Sequence, residues 1–193
     1  MQTGRRVQMV AVQVLSHLMI GLIVIWIVRR RESGAYLTAL FTSDKWFLQV
    51  ILGLLSGIIL AFLMNYVLRR SHVEIPQIMR RILAQLGVRA SFILLGLAGL
   101  YEEFFFRGVI QGLLISPLGQ LGAFSITWAV FTAVHVPQYW RVPVFIAEVA
   151  VMSALGGVWF ALTGNLIGPI VLHAAFNVHL TYLQRESMFS MNE

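Results

Sequence analysis

The chain is a series of apolar runs that short polar or basic segments separate. Each run is long enough, at about 1.5 Å per helical residue, to approach or cross the ~30 Å hydrocarbon core of a bilayer. The runs are Val7–Val28, Phe47–Leu68, Ala90–Ile115, Leu118–His135, Val142–Leu162 and Leu166–Leu183. This pattern predicts an all-α fold, a polytopic transmembrane helical bundle of about six spans.

Residues 71–89 interrupt this pattern with arginines among aliphatic side chains, which is typical of an interfacial amphipathic helix. We therefore divide the chain into four parts. They are two N-terminal transmembrane helices (1–70), a basic cytoplasmic or interfacial segment (71–89), a four-helix membrane core for catalysis (90–183) and a C-terminal tail (184–193). Gly53 and Gly57 form a GxxxG pair, which favours close helix packing inside a crowded bundle or at a dimer face.

The composition indicates an integral membrane protein. Hydrophobic residues make up 59% and charged residues only 11%, whereas soluble domains carry about 25% charged residues. The absence of cysteine excludes a disulfide scaffold, a thiol nucleophile and a sulfur-based zinc site. The net charge of +6 comes from basic clusters between apolar runs, not from a basic face on a soluble element. This distribution excludes nucleic acid as a partner. It also predicts that both termini lie on the inner side of the membrane.

Charged side chains within a span are costly and usually functional. Glu103 and Arg107 are four residues apart with the acid first, which predicts an ion pair on one helical face. Glu102 points about 100° away from Glu103. We expect Glu102 to face the bundle interior without a close cation and to serve as a general base.

Two further spans supply polar side chains at helical spacing. His135 follows Phe131 by one turn, and His173 shares a face with Asn177. A water held by Glu102 and one histidine could attack a peptide carbonyl, while the other histidine and Asn177 stabilise the oxyanion. Alternatively, Glu102, His135 and His173 have the ligand types of a catalytic zinc site.

The pattern assigns less to the other polar residues. Glu148 could pair with Arg141, extend towards the membrane surface or line a cavity. We expect no site role for His17, His72 or His179.

The ordered motifs Glu-Glu-x-x-x-Arg (102–107), Phe-x-x-x-His (131–135) and His-x-x-x-Asn (173–177) resemble those of a known family. This is the CAAX-type prenyl endopeptidase family of intramembrane proteases, which includes bacteriocin-processing and bacteriocin-immunity membrane proteins. The resemblance covers about residues 90–183. It implies hydrolysis of membrane-anchored or lipidated proteins in the bilayer, with metal dependence left open between zinc and none.

The resemblance also implies a role for each motif residue. Glu102 and His135 would activate the attacking water, and His173 and Asn177 would form the oxyanion site. The supporting residues would be Glu103, Arg107 and Phe131.

Minimal loops favour a prokaryotic cytoplasmic membrane protein. Two other hypotheses are a non-enzymatic regulator or immunity protein on the same fold, and a proton-coupled transporter. A transporter predicts inverted repeats, which are not seen in the sequence.

Overall fold

The computed structural model describes residues 19–23, 25, 26, 33–71 and 77–189, with the backbone alone for 33, 77–88 and 185–189. All regular secondary structure in these residues is helical, with no strand. The elements are α1 (Ser33–Phe41), α2 (Trp46–Arg70), α3 (Gln77–Glu103), a π-helical segment (Phe104–Gln111), α4 (Gly112–Tyr139), α5 (Pro143–Thr163) and α6 (Ile167–Phe189). The predicted all-α helical bundle is confirmed.

Three helical stretches of the described residues are long and apolar enough to cross a membrane. They are Trp46–Arg70, Arg89–Tyr139 and Pro143–Thr163. The middle stretch unites the predicted third and fourth spans. The predicted first span, Val7–Val28, lies largely outside the described residues, and the predicted last span lies in α6, which is not among the three. The protein is an integral membrane protein, and the count of six spans stays a prediction.

The long middle stretch folds back on itself at a glycine. The sequence predicts that the third span ends at Ile115, but the helix continues past Pro117 and the backbone breaks at Gly119, with φ 70° and ψ 173°. Glycine adopts this left-handed φ without a steric penalty. The turn brings the two arms together, so that the ring centroids of Phe106 and Phe131 lie 4.7 Å apart. The turn thereby places the first motif, which precedes Gly119, next to the second motif, which follows it.

Glycines allow α6 to pack closely against two neighbouring helices. A Cβ at Gly57 of α2 would lie 2.5 Å from the carbonyl oxygen of Leu172, and one at Gly53 would lie 3.0 Å from that of Gly168. On α3, a Cβ at Gly99 would lie 3.1 Å from the amide nitrogen of Ala174. The GxxxG pair therefore packs against α6 of the same chain.

The π-helical segment begins directly after Glu103 and connects the motif helix to its neighbours. Such segments occur frequently at functional sites. The hydroxyl of Tyr36 on α1 donates a hydrogen bond to the carbonyl oxygen of Gly108 (2.6 Å). The side chain of Gln111 donates to the carbonyl oxygen of Gly157 on α5 (2.9 Å). These bonds hold the segment between α1 and α5.

Replacing Gly57 with valine is expected to lower the free energy of unfolding by about 1–3 kcal/mol, because the added carbons overlap the backbone of α6. The measurement is equilibrium unfolding in detergent micelles. Gly96→Val is the matched control, since a Cβ at Gly96 meets no atom within 4 Å. Equal losses in both variants would contradict the packing argument.

Candidate active site

Glu103 is the centre of a buried ion-pair network. Its Oε2 lies 3.2 Å from Nε of Arg107, as the sequence spacing predicts. Its Oε1 accepts a hydrogen bond from Nδ1 of His173 on α6 (2.8 Å). Since a carboxylate only accepts, this contact places a proton on Nδ1 and directs Nε2 away from Glu103. Sequence reasoning missed this partner, because it lies on another helix.

Arg107 extends the network to α5 and α4. Its Nη2 donates to the carbonyl oxygen of Ser153 (2.8 Å), and its guanidinium carbon lies 4.5 Å from the ring centroid of Phe131. The side chain is fully buried. A Cβ at Gly156 would lie 3.0 Å from Oε2 of Glu103 and 3.3 Å from Nη2 of Arg107. The hydrogen side chain of Gly156 thus makes room for the ion pair against α5.

Glu102 points in a different direction from Glu103, as expected for adjacent helical residues. Its Oε2 lies 3.7 Å from Nε2 of His135 and 3.9 Å from Nε2 of His173. Its side chain is 22% exposed, whereas that of Glu103 is 1% exposed. The two imidazole contacts are longer than hydrogen bonds, and one water molecule can bridge polar atoms at this separation. Glu102 is therefore the accessible carboxylate of the pair.

The ring of His135 is held by Phe131, one turn earlier on α4. Nδ1 of His135 lies 2.7 Å from the carbonyl oxygen of Phe131, and the rings stack at 4.7 Å with an interplanar angle of 26°. Because a carbonyl only accepts, Nδ1 carries the proton. In the neutral ring this leaves a lone pair on Nε2, the nitrogen that faces Glu102.

Asn177 lies one turn beyond His173 on α6. Its Nδ2 lies 3.4 Å from the carbonyl oxygen of Leu95 on α3, a long hydrogen bond. Both Asn177 and Leu95 belong to the wall of the cavity next to Glu102.

One cavity of about 200 Å³ brings the predicted site residues together. Its wall includes the four predicted catalytic side chains and the aromatic ring of the second motif: Glu102, Phe131, His135, His173 and Asn177. Glu103 and Arg107 lie behind this wall, in contact with His173 and Phe131. The structure thus arranges the motif residues in an accessible group and a buried supporting group.

The remaining polar residues have different positions. Glu148 lines the cavity, the third of the three alternatives that its sequence position allows. The guanidinium of Arg141 instead lies 4.8 Å from the ring centroid of Trp140. His179 packs edge-on against Phe62 and is not in the cavity wall. The other histidines singled out above, at positions 17 and 72, lie outside the described residues.

In the part of the chain that the structure describes, no group of three or more His, Asp or Glu side chains is arranged to hold a metal ion. Glu102 and the two imidazoles supply ligand types that zinc binds, and Oε2 of Glu102 lies 3.7 Å and 3.9 Å from the two Nε2 atoms. The zinc alternative of the sequence analysis therefore stays a prediction.

Comparison with known proteins agrees with the motifs. A family model described as type II CAAX prenyl endopeptidase, Rce1-like, matches residues 84–179, about half of the chain. This half of the chain belongs to the Rce1-like family. The match confirms the predicted resemblance and indicates a membrane protease. No curated protein and no solved structure matches the chain.

Replacing Arg107 with glutamine is expected to lower the free energy of unfolding by about 3–5 kcal/mol, because it leaves the buried Glu103 without its guanidinium partner. The double variant Glu103→Gln/Arg107→Gln should recover part of this loss. Arg141→Gln is the control at an exposed arginine and should change stability by less than about 0.5 kcal/mol. Unfolding in micelles measures all three, and similar losses for Arg107→Gln and Arg141→Gln would contradict the network.

Proposed function

We propose that the protein is an intramembrane endopeptidase that hydrolyses peptide bonds of membrane-associated or lipidated proteins. The observation that carries this proposal is the convergence of Nε2 of His135 and Nε2 of His173 on Oε2 of Glu102 in one cavity. The match to an Rce1-like family of endopeptidases supports the same reaction class.

Glu102 and His135 are the proposed water-activating pair. Oε2 of Glu102 and Nε2 of His135 both accept hydrogen bonds and lie 3.7 Å apart, so one water can donate to both. Removal of a proton from this water generates the nucleophile, and the proton is then available to the leaving amine. Because the Nδ1 proton of His135 is held by the carbonyl of Phe131, Nε2 remains the acceptor.

His173 and Asn177 are the proposed oxyanion donors. When His173 is protonated on both nitrogens, Nε2 donates into the cavity while Nδ1 stays bonded to Glu103. Nδ2 of Asn177 makes a long hydrogen bond to the carbonyl oxygen of Leu95 (3.4 Å). It would exchange this bond for one to the oxyanion. Donors that are held in place before the reaction stabilise the developing negative charge without reorganisation.

The supporting residues fix the orientation of these groups. Glu103 orients the His173 ring, and Arg107 balances the charge of Glu103. The ring of Phe131 separates Arg107 from the cavity and stacks on His135. The proposed reaction uses protein side chains and water, with no step through a metal.

Glu102→Gln is expected to lower turnover by about 10²–10⁴-fold, because an amide cannot take the proton of the water. The measurement compares peptide termini in the membrane proteome of cells that carry the wild-type chain or the variant. Asp44→Asn is the matched control, since it makes the same change at an exposed carboxylate outside the cavity.

Termini that appear with the wild-type and Asp44→Asn chains but not with Glu102→Gln would support the endopeptidase. Identical termini in all three, with equal amounts of chain in the membrane, would overturn it. If Glu102→Gln also preserves a cellular phenotype of the chain, a regulator or immunity protein becomes the better account.

Asn177→Ala is expected to lower kcat by about 10²–10³-fold with little change in KM, because it removes one oxyanion donor. The assay uses a reporter peptide taken from the Glu102-dependent termini. Asn165→Ala is the control: Oδ1 of Asn165 caps α6 through the amide of Ile167 (3.2 Å), so this change should cost stability but not kcat. A loss of stability alone in Asn177→Ala would leave Asn177 a packing residue.

A further inference from the structure

The proposed reaction uses Glu102 but not the second carboxylate of the cavity, Glu148. This side chain belongs to α5 and lines the same cavity. The residue is only 8% exposed, and its buried Oε2 has no hydrogen-bond partner among the described residues. A buried charge without a partner is strongly destabilising, so such groups in membrane spans usually mark a functional site.

Among the residues that the structure describes, no lysine or arginine lines the cavity, and the groups there that can carry a positive charge are the imidazoles of His135 and His173. Both imidazoles face Glu102. Arg107 pairs with Glu103, and Arg141 lies over Trp140. With Glu102 and Glu148 both in the wall, the cavity favours a cationic group of the substrate.

The rest of the wall fits the stem of a long basic side chain. Apolar residues share the cavity lining with Glu148 and with the polar Gln138, Tyr139, Thr181 and Gln184: Leu95, Phe145, Val149, Met152, Phe176 and Leu180. Lysine and arginine bury their methylene stems along such surfaces while the charged end reaches a polar partner. At about 200 Å³ the cavity is smaller than the pockets of about 300–1,000 Å³ that hold drug-sized ligands. The cavity is therefore a closer match to one large side chain than to a larger ligand.

We infer that Glu148 is a specificity-determining residue that binds a lysine or arginine side chain of the substrate, close to the peptide bond that is cut. This inference rests on the proposed endopeptidase function. The contact is a charge-assisted hydrogen bond from the substrate's ammonium or guanidinium group to the carboxylate of Glu148. The enzyme therefore prefers substrates with a basic residue at one fixed position near the cut.

The first test records membrane-proteome termini with the wild-type chain and with Glu102→Gln, Glu148→Gln, Glu148→Asp and Asp44→Asn. Termini that depend on Glu102 should carry lysine or arginine at one fixed position near the cut. Glu148→Gln should reduce these termini about 10- to 100-fold, since a charged hydrogen bond is lost. Glu148→Asp should retain part of the activity, and Asp44→Asn should retain all of it.

The second test is a double-variant cycle on a reporter peptide taken from those termini. Replacing its basic residue with glutamine should lower kcat/KM of the wild-type chain about as much as Glu148→Gln does. With both changes together, the loss should be no larger than with either alone. If Glu148→Gln does not accumulate in the membrane, Glu148→Asp and the peptide substitution still complete the comparison.

The outcomes separate the two proposals. Glu102-dependent termini without a basic residue at a fixed position would overturn the role of Glu148 and leave the endopeptidase intact. Additive losses in the cycle would do the same, because they show that the two groups do not interact. An absence of Glu102-dependent termini would overturn the endopeptidase and, with it, the role of Glu148.

Discussion

The carboxylate of Glu103 holds the site together. One oxygen faces Arg107 of the π-helical segment, and the other accepts from His173 of α6. Through the bond from Arg107 to Ser153, the same network reaches α5. A charge at this depth is stable only when it has partners, so the helices that carry these partners must pack in one register.

This network gives two adjacent and chemically identical residues different properties. Because neighbouring helical residues point about 100° apart, Glu103 turns into the packed interface while Glu102 turns into the cavity. Glu103 forms a salt bridge with a guanidinium, whereas Glu102 faces the imidazoles of His135 and His173. A buried structural carboxylate and an accessible cavity carboxylate therefore coexist in one motif.

Small residues make this arrangement possible in a membrane, where helices gain little from hydrophobic burial against one another. Gly57 and Gly99 let the α6 backbone approach α2 and α3, and Gly156 leaves space for the Glu103–Arg107 pair. The left-handed turn at Gly119 returns α4 along the motif helix, so that Phe131 and His135 face it. The arrangement of side chains at the site thus depends on glycines elsewhere in the bundle.

The sequence by itself determined the membrane class, the all-α fold and the Glu103–Arg107 pair, because composition and helical spacing act locally. The three motifs and their resemblance to a protease family could also be read directly. Only the tertiary structure decided that His173 binds Glu103, that Gly53 and Gly57 pack inside the chain and that Glu148 lines the cavity. These contacts join residues far apart in the chain, and helical periodicity describes a face without specifying which helix covers it.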